Sequence, residues 1–143
     1  LNNMNKLQKV YNTNSEKQKN LYLMQKSLNV VKNNLRKSIS ERLINDHEGY
    51  VPIIVGRAEI KNTPPIKKFK YVVPRDMTFG KFILEMKKSI DSTDPNTNLF
   101  VFFSNNRLVP INDQISYLYD KYKNADGFLY LVYSVENTFG SYL

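Results

Sequence analysis

The residues best placed for chemistry lie at the carboxyl-terminal end, where Gly140 is followed only by residues 141–143. Glycine has no Cβ and accepts many backbone angles, so a glycine near an extended end can thread a narrow channel into another enzyme. There its carbonyl could be cut free and joined to an amine. Judged on Gly140 alone, however, an ordinary glycine in a frayed terminus is the better interpretation.

The side chains that most enzymes use as nucleophiles or metal ligands are scarce. The chain has no Cys, which excludes disulfides, thiolate catalysis and thiolate zinc sites, and its single histidine is His47. It has neither a GxSxG nor an HExxH motif, and its five glycines are too scattered to form a phosphate-binding loop. We therefore interpret the chain as a non-enzyme with no metal or other cofactor, in which His47 contacts the end of a helix.

The composition predicts one basic domain with an appendage. A chain of 143 residues with 41% hydrophobic content can bury a single core. The net charge is +8, and residues 1–49 hold nine Lys/Arg against four Asp/Glu, which favours an acidic partner such as nucleic acid, an anionic membrane or an acidic protein surface. No apolar run approaches the roughly 20 residues that span a bilayer, so we expect a protein made in soluble form.

Residues 1–32 form a basic, Asn/Lys-rich extension that we expect to be partly helical or disordered, with residues 1–15 mobile. A helical stripe then follows, because apolar residues recur in steps of three or four. Its members are Leu21, Met24, Leu28, Val31, Leu35, Ile39 and Leu43. A break at Asn33–Asn34 would divide it into two helices, which fits the pattern equally well. The stripe either packs on the domain or binds a partner.

From Tyr50 onward the pattern alternates between strands and helices. The predicted elements are strands at 51–55 and 69–73, a helix capped by Thr78, a buried strand at 99–103, a short helix capped by Asp113, and a last strand at 128–133. Two hairpin strands, a crossover helix and two further strands predict an α+β fold. We expect a ubiquitin-like β-grasp, with a four-stranded mixed sheet and an N-terminal helical extension.

The end of the chain resembles the autophagy-related protein eight family, which includes the GABA-receptor-associated proteins. The resemblance rests on Asp126-Gly127-Phe128-Leu129-Tyr130 and Glu136-Asn137-Thr138-Phe139-Gly140. Further matching stretches occur in order and at compatible spacing at 51–55, 70–74, 78–82 and 108–110. It covers about residues 35–140.

The resemblance implies a modifier that acts in autophagosome formation, with a ubiquitin-like domain at 33–140. A processing cysteine protease would remove residues 141–143, and Thr138 and Phe139 would be recognised during processing and conjugation. Activating and conjugating enzymes would carry the Gly140 carboxyl as adenylate and thioester to the amine of phosphatidylethanolamine. The protein would be cytoplasmic when soluble, and on the autophagosome or another intracellular membrane after lipidation.

The resemblance also implies that aromatic-x-x-aliphatic peptides of cargo receptors add a strand to the edge at residues 70–73. The implied aromatic pocket consists of Leu43, Pro52, Ile54, Lys70 and Phe128. The implied aliphatic pocket and edge strand consist of Tyr71, Val72, Val73, Pro74, Phe82 and Met86. Lys70 also suits the acidic residues that flank such peptides. Without the resemblance, ordinary core packing is the better interpretation of the apolar members.

Four positions depart from the family pattern. Ile39 replaces an acidic residue, Tyr50 a usual Arg, Glu85 an apolar pocket residue, and Ser89 an Arg associated with processing and conjugation. The competing hypothesis is a binding protein that is never conjugated, whose basic N-terminal helix holds tubulin, a membrane or RNA. Nucleic acid is the least favoured of these partners, because the aromatic residues cluster in the predicted strands and are not interleaved with Lys and Arg.

Overall fold

The computed structural model describes residues 2–59, 62–91 and 98–135, with side chains from residue 15 onward. Within these ranges the helices and strands follow the order expected from the sequence. They are α1 (Asn2–Asp46), β1 (Tyr50–Arg57), β2 (Lys70–Pro74), α2 (Phe79–Ser89), β3 (Phe100–Phe103), α3 (Ile115–Tyr122) and β4 (Leu129–Ser134). The chain forms two compact units, Leu1–Leu35 and Arg36–Leu143.

Helix α1 begins at Asn2 and ends at Asp46, so it includes the segment expected to be mobile and has no break at Asn33–Asn34. Asn is a weak helix former, but only Gly and Pro oppose a helix strongly, and the first of either is Gly49. Gly49 has a φ of +80°, which fits a chain reversal after the helix. His47 makes the expected contact at this end, with its Nδ1 atom 3.0 Å from the carbonyl oxygen of Leu43.

The four strands form one mixed sheet in the order β2-β1-β4-β3. Strand β1 pairs antiparallel with β2 and parallel with β4, and β3 pairs antiparallel with β4. A parallel central pair needs a crossover connection between its strands, and the segment containing α2 supplies it. The arrangement confirms the predicted α+β fold with a four-stranded mixed sheet.

The core lies between the sheet and helix α2. Val51, Ile53 and Val55 alternate along β1 and are buried, as expected for a strand with one face on the core. They belong to the same hydrophobic cluster as the buried side chains of α2, which are Phe79, Phe82 and Met86. The Tyr71 ring of β2 meets the Phe82 ring edge-on, with centroids 5.2 Å apart. Helix α2 is therefore fixed against the inner side of the β1–β2 hairpin.

One of the two predicted helix caps is confirmed and the other is wrong. Thr78 caps α2, since its hydroxyl accepts a hydrogen bond from the Lys81 backbone N–H at 3.4 Å. Helix α3 begins one residue later than expected, with Gln114 at the N-cap position and no side-chain cap. The backbone explains this, because the Asp113 carbonyl accepts from the Phe79 N–H and the Ile115 N–H donates to Met77. The start of α2 therefore positions the start of α3.

Candidate functional site: the groove beside strand β2

Strand β2 lies at one edge of the sheet. Among the described residues, it pairs with β1 on one side and with no strand on the other. The backbone of an edge strand offers hydrogen-bonding groups that can pair with an added extended peptide. The segment Lys70–Pro74 therefore has the geometry that strand addition requires. Along β2, Lys70 is exposed, Val72 and Pro74 are half-buried, and the two residues between them are buried. An added strand would therefore contact side chains as well as backbone.

A groove of about 390 Å³ lies between this edge and helix α2. It is lined by Lys68, Tyr71, Val72, Val73, Pro74, Met77, Glu85, Lys88 and Ser89. Four of the six residues predicted for the aliphatic pocket and edge strand are therefore brought together here. The other two, Phe82 and Met86, have no exposed surface and belong to the core beneath the groove. A peptide could contact them only if the lining moved, so their assignment to the pocket surface is corrected.

The groove carries more polar groups than an aliphatic pocket needs. Glu85 lines it and accepts a hydrogen bond at 3.1 Å from Lys88 Nζ. The Tyr71 hydroxyl is buried near Ser89, but its geometry does not reach that of a full hydrogen bond with any described residue. Burial raises the pKa of Tyr71 above 10.0, and the Glu85 carboxylate adds to the rise, so this hydroxyl stays protonated near neutral pH. The groove therefore offers an apolar wall from β2 and a paired carboxylate, while the Tyr71 hydroxyl is buried behind that wall.

Of the residues predicted for the aromatic pocket, Ile54 and exposed Lys70 are register partners on neighbouring strands. Pro52 lies two positions before Ile54 on β1 and is buried, so its assignment to the pocket surface is corrected. Leu43 is half-buried on α1. Phe128 is only 2% exposed. The structure thus brings Ile54 and Lys70 together, but it places Phe128 in the interior, where it can support a pocket and not line its surface.

Asp126 links helix α1 to the start of strand β4, and sequence reasoning had identified only a turn there. Its carboxylate lies 3.4 Å from Arg36 Nε and accepts from the Phe128 backbone N–H at 3.0 Å. Its backbone carbonyl accepts a hydrogen bond from the Ser40 hydroxyl, and Ser40 is fully buried. The sequence signal for this contact was slight: Arg36 and Ser40 are polar residues four positions apart on α1, so they share one face of the helix. These contacts hold the part of α1 that carries Leu43.

The same carboxylate accepts a hydrogen bond from the Tyr130 hydroxyl. Burial, together with this bond and the negative charge of Asp126, raises the pKa of Tyr130 to about 12. An unfolded tyrosine titrates near 10. A group with a raised folded pKa contributes stability that is fully present below its unfolded pKa and lost as the pH rises through its folded pKa. The pH window for Tyr130 is therefore about 10 to 12.

We expect Tyr130→Phe to lower the free energy of unfolding by about 1 kcal/mol at pH 8, because it removes one hydrogen bond. The difference from the wild type should shrink as the pH rises from about 10 to about 12, because the wild-type protein then loses the contribution of the protonated hydroxyl. Urea unfolding across this range measures both quantities. Tyr71, Tyr119 and Tyr133 also have raised pKa values, but both proteins contain them, so they cancel in the comparison. A difference that stays constant to pH 12 would contradict this role.

Three predicted site residues, Thr138, Phe139 and Gly140, lie outside the described residues. Within the described ranges there is no cluster of three or more His, Cys, Asp or Glu side chains arranged to hold a metal ion. None of the helices in these ranges is both long and apolar enough to cross a bilayer. Within the described residues, the candidate site is therefore the edge strand β2 and the groove beside it, a geometry suited to binding an extended peptide.

Comparison with known proteins identifies the second unit. The family model described as autophagy protein Atg8, ubiquitin-like, matches residues 35–140. An autophagy-related protein 8-like protein of Dictyostelium discoideum is 43% identical over 108 residues, which cover 74% of this chain and 86% of the relative. Autophagy-related protein 8 of the same organism is 41% identical over 106 residues, with the same two shares. Residues 1–34 lie outside the family match.

Solved structures of similar fold agree with this result. Trypanosoma brucei ATG8 superposes with a TM-score of 0.66 at 29% identity, covering 71% of this chain and 86% of that one. Plasmodium falciparum Atg8, solved in complex with a Plasmodium falciparum Atg3 peptide, gives 0.64 at 26% identity, covering 73% and 90%. The sequence, the mixed sheet and these relatives lead to one conclusion. The chain belongs to the Atg8 family and is a ubiquitin-like autophagy modifier, not an enzyme.

Proposed function

We propose that this chain is trimmed after Gly140 and joined through the Gly140 carboxyl to the amine of phosphatidylethanolamine. In this scheme residues 1–32 are an extension, residues 33–140 are the ubiquitin-like domain, and residues 141–143 are removed. A cysteine protease and the activating and conjugating enzymes supply all the covalent chemistry, and Thr138 and Phe139 are recognised by them. Family membership supports the proposal, as does the complex of a relative with a peptide of Atg3.

The expected consequence of conjugation is a change of location. Each CH₂ group of an acyl chain contributes about 0.8 kcal/mol when it is buried in the membrane. One chain gives only marginal membrane binding, whereas the two chains of the lipid give stable anchoring. The net charge of +8 adds affinity for anionic lipid. We propose that the chain lies in the cytoplasm before conjugation and on the autophagosome membrane afterwards.

We further propose that strand β2 and its grooves bind aromatic-x-x-aliphatic peptides of cargo receptors. The observation that carries this proposal is an edge strand, Lys70–Pro74, with a groove of about 390 Å³ at its side. The peptide would add a strand along β2, and its aliphatic side chain would enter the groove against Val73 and Pro74. The aromatic side chain would lie near half-buried Leu43 and Ile54, with buried Pro52 and Phe128 supporting the site.

The charges of this surface suggest which peptides are preferred. Lys70 is exposed beside Ile54, so its ammonium can approach acidic residues that flank the aromatic position. Glu85 and Lys88 pair beside the aliphatic position, and Lys68 also lines the groove, so the charged side chains there are two lysines and one glutamate. A peptide with an acidic residue in place of the aliphatic one would lose its apolar contact with Val73 and Pro74 and should bind worse.

Lys70→Asp tests the peptide site directly. We expect it to weaken a labelled aromatic-x-x-aliphatic peptide with acidic flanks by at least tenfold, about 1.4 kcal/mol, because attraction becomes repulsion. Fluorescence anisotropy measures the dissociation constant. The matched control is Arg107→Asp, which makes the same change in net charge beyond β3, at the opposite edge of the sheet. If both variants bind the peptide equally well, Lys70 does not belong to the site.

A further inference from the structure

An apolar stripe on helix α1 has no role in the function described above. Leu21, Met24, Leu28, Val31 and Leu35 lie in the first compact unit, and each is 50% exposed or more. The family match begins at residue 35, so membership of the family does not account for them. Five large apolar side chains in one exposed row on a helix indicate a surface that something covers.

The spacing of the stripe identifies what kind of surface it is. The steps are three, four, three and four, which place Leu21, Leu28 and Leu35 at heptad position a, and Met24 and Val31 at position d. In the sequence the same spacing continues backward through Lys17, Asn14, Val10 and Leu7. A strict seven-residue repeat gives the narrow seam of a coiled coil, whereas a helix lying on a membrane needs a wider apolar face with a period of 3.6.

The polar residues around the seam favour a second copy of the chain over an anionic surface. The e and g positions beside the described part of the seam are almost all neutral, being Gln18, Asn20, Gln25, Ser27, Lys32 and Asn34. Two copies could therefore pack without strong repulsion between these positions. Lys19 and Lys26 occupy position f, on the side of the helix away from the seam. Their charge therefore does not face whatever covers the stripe.

Two positions of the seam are polar, which is also compatible with a coiled coil. Asn14 falls at position a and Lys17 at position d. A polar residue in a coiled-coil seam lowers stability but fixes the register of the helices. Asn14 and Lys17 are consecutive seam positions. Every later seam position, from Leu21 to Leu35, is apolar.

The size of the seam sets the strength of the association. Residues 7–35 of α1 span about 43 Å at about 1.5 Å per residue, and a contact strip on each helix is about 10 Å wide. Two such strips amount to on the order of 900 Å², which is below the roughly 1,200 Å² at which stable specific interfaces begin and within the range of weak, transient ones. The contact is therefore suited to an association that depends on protein concentration.

We propose that residues 7–35 of helix α1 form a coiled-coil seam with a second copy of this chain. The proposal concerns α1 alone and does not rest on conjugation through Gly140. Where copies are held on one membrane, their local concentration rises and the association strengthens. Tyr22, Leu23 and Val30 are exposed as well, at positions b and c. Leu23 borders the seam, because it lines one surface with Met24 and Leu28, whereas Tyr22 and Val30 do not line that surface.

Sedimentation equilibrium of the full chain, from about 5 to about 500 μM, tests the proposal. We expect the mean mass to rise with concentration from 16.8 kDa to a multiple of it. Leu28→Asn should weaken self-association at least tenfold, because it places an amide in the seam. Val30→Asn is the matched control, since it also replaces an exposed apolar side chain by an amide on the same helix, but at a position outside the surface that Met24, Leu28 and Val31 line. It should self-associate as the wild type does.

Three results would overturn the proposal. One is a wild-type mass of 16.8 kDa at every concentration. Another is an equal loss of association in Leu28→Asn and Val30→Asn, which would trace the effect to a general change in the helix and not to the seam. The third is a chain that is monomeric in solution but sediments with phosphatidylserine vesicles, and does so less after Leu28→Asn. That result would assign the stripe to a lipid surface. Raising the salt should leave self-association intact, whereas binding to anionic vesicles should weaken.

Discussion

Cells that express a Gly140→Ala variant are expected to keep the chain off membranes and free of phospholipid, while the wild-type chain becomes anchored. In the proposed scheme, the added Cβ would stand next to the carbonyl that the protease releases and that the conjugating enzymes carry, where a residue without a side chain is needed. Loss of conjugation removes both acyl chains, so the remaining membrane affinity is that of the basic protein alone. Fractionation of cells, followed by measurement of the chain in the membrane pellet, tests the expectation.

The control for this experiment is Ser141→Ala, which changes the residue next to Gly140 in the segment that is removed. It should be trimmed and conjugated like the wild type. Membrane association that persists undiminished in Gly140→Ala would favour the competing hypothesis, in which the basic chain binds its partner without being conjugated.

The second large effect concerns stability. Gly127 has a φ of +89°, and a Cβ added there would lie 2.3 Å from Ser40 Oγ and 3.0 Å from Ser40 Cβ. Ser40 is fully buried and donates to the Asp126 carbonyl, so it cannot move away without loss of that bond. We expect Gly127→Ala to lower the free energy of unfolding by about 3 kcal/mol, combining left-handed strain of about 1–2 kcal/mol with one lost hydrogen bond.

Gly49→Ala is a matched control for Gly127→Ala. Gly49 has a similar φ of +80°, but a Cβ there would have no atom within 4 Å. It should therefore show the strain alone, about 1–2 kcal/mol. The difference between the two variants, measured by urea unfolding, gives the contribution of the contact between α1 and the turn before β4. Equal losses would mean that this contact adds nothing.

Local pattern was enough to predict most of the fold. The β-branched run at 51–55, the apolar helical positions after Thr78 and the turn at Asp126-Gly127 each carry their signal within a few residues. A helix between one hairpin and two further strands then leaves few ways to build a sheet. The cap at Asp113 was predicted wrongly because its backbone is engaged by Phe79, 34 positions away, and local pattern does not report such a contact.

The candidate site was less predictable, for the same reason. Alternation along β2 indicates which residues share a face, but it cannot tell a surface pocket from the core beneath it. Pro52, Phe82, Met86 and Phe128 were therefore assigned to pockets although the structure buries them. The bond from Ser40 to Asp126 joins residues 86 apart in the chain. Glu85, by contrast, was singled out from the sequence as unusual, and it lines the groove.

The proposal for Gly140 is tested most directly by mass spectrometry of the carboxyl-terminal peptide of the protein isolated from its native cells. The predicted result is a peptide that ends at Gly140, lacks Ser141, Tyr142 and Leu143, and carries the mass of one phosphatidylethanolamine. A native peptide that still ends at Leu143, with no lipid form in the membrane fraction, would contradict the account.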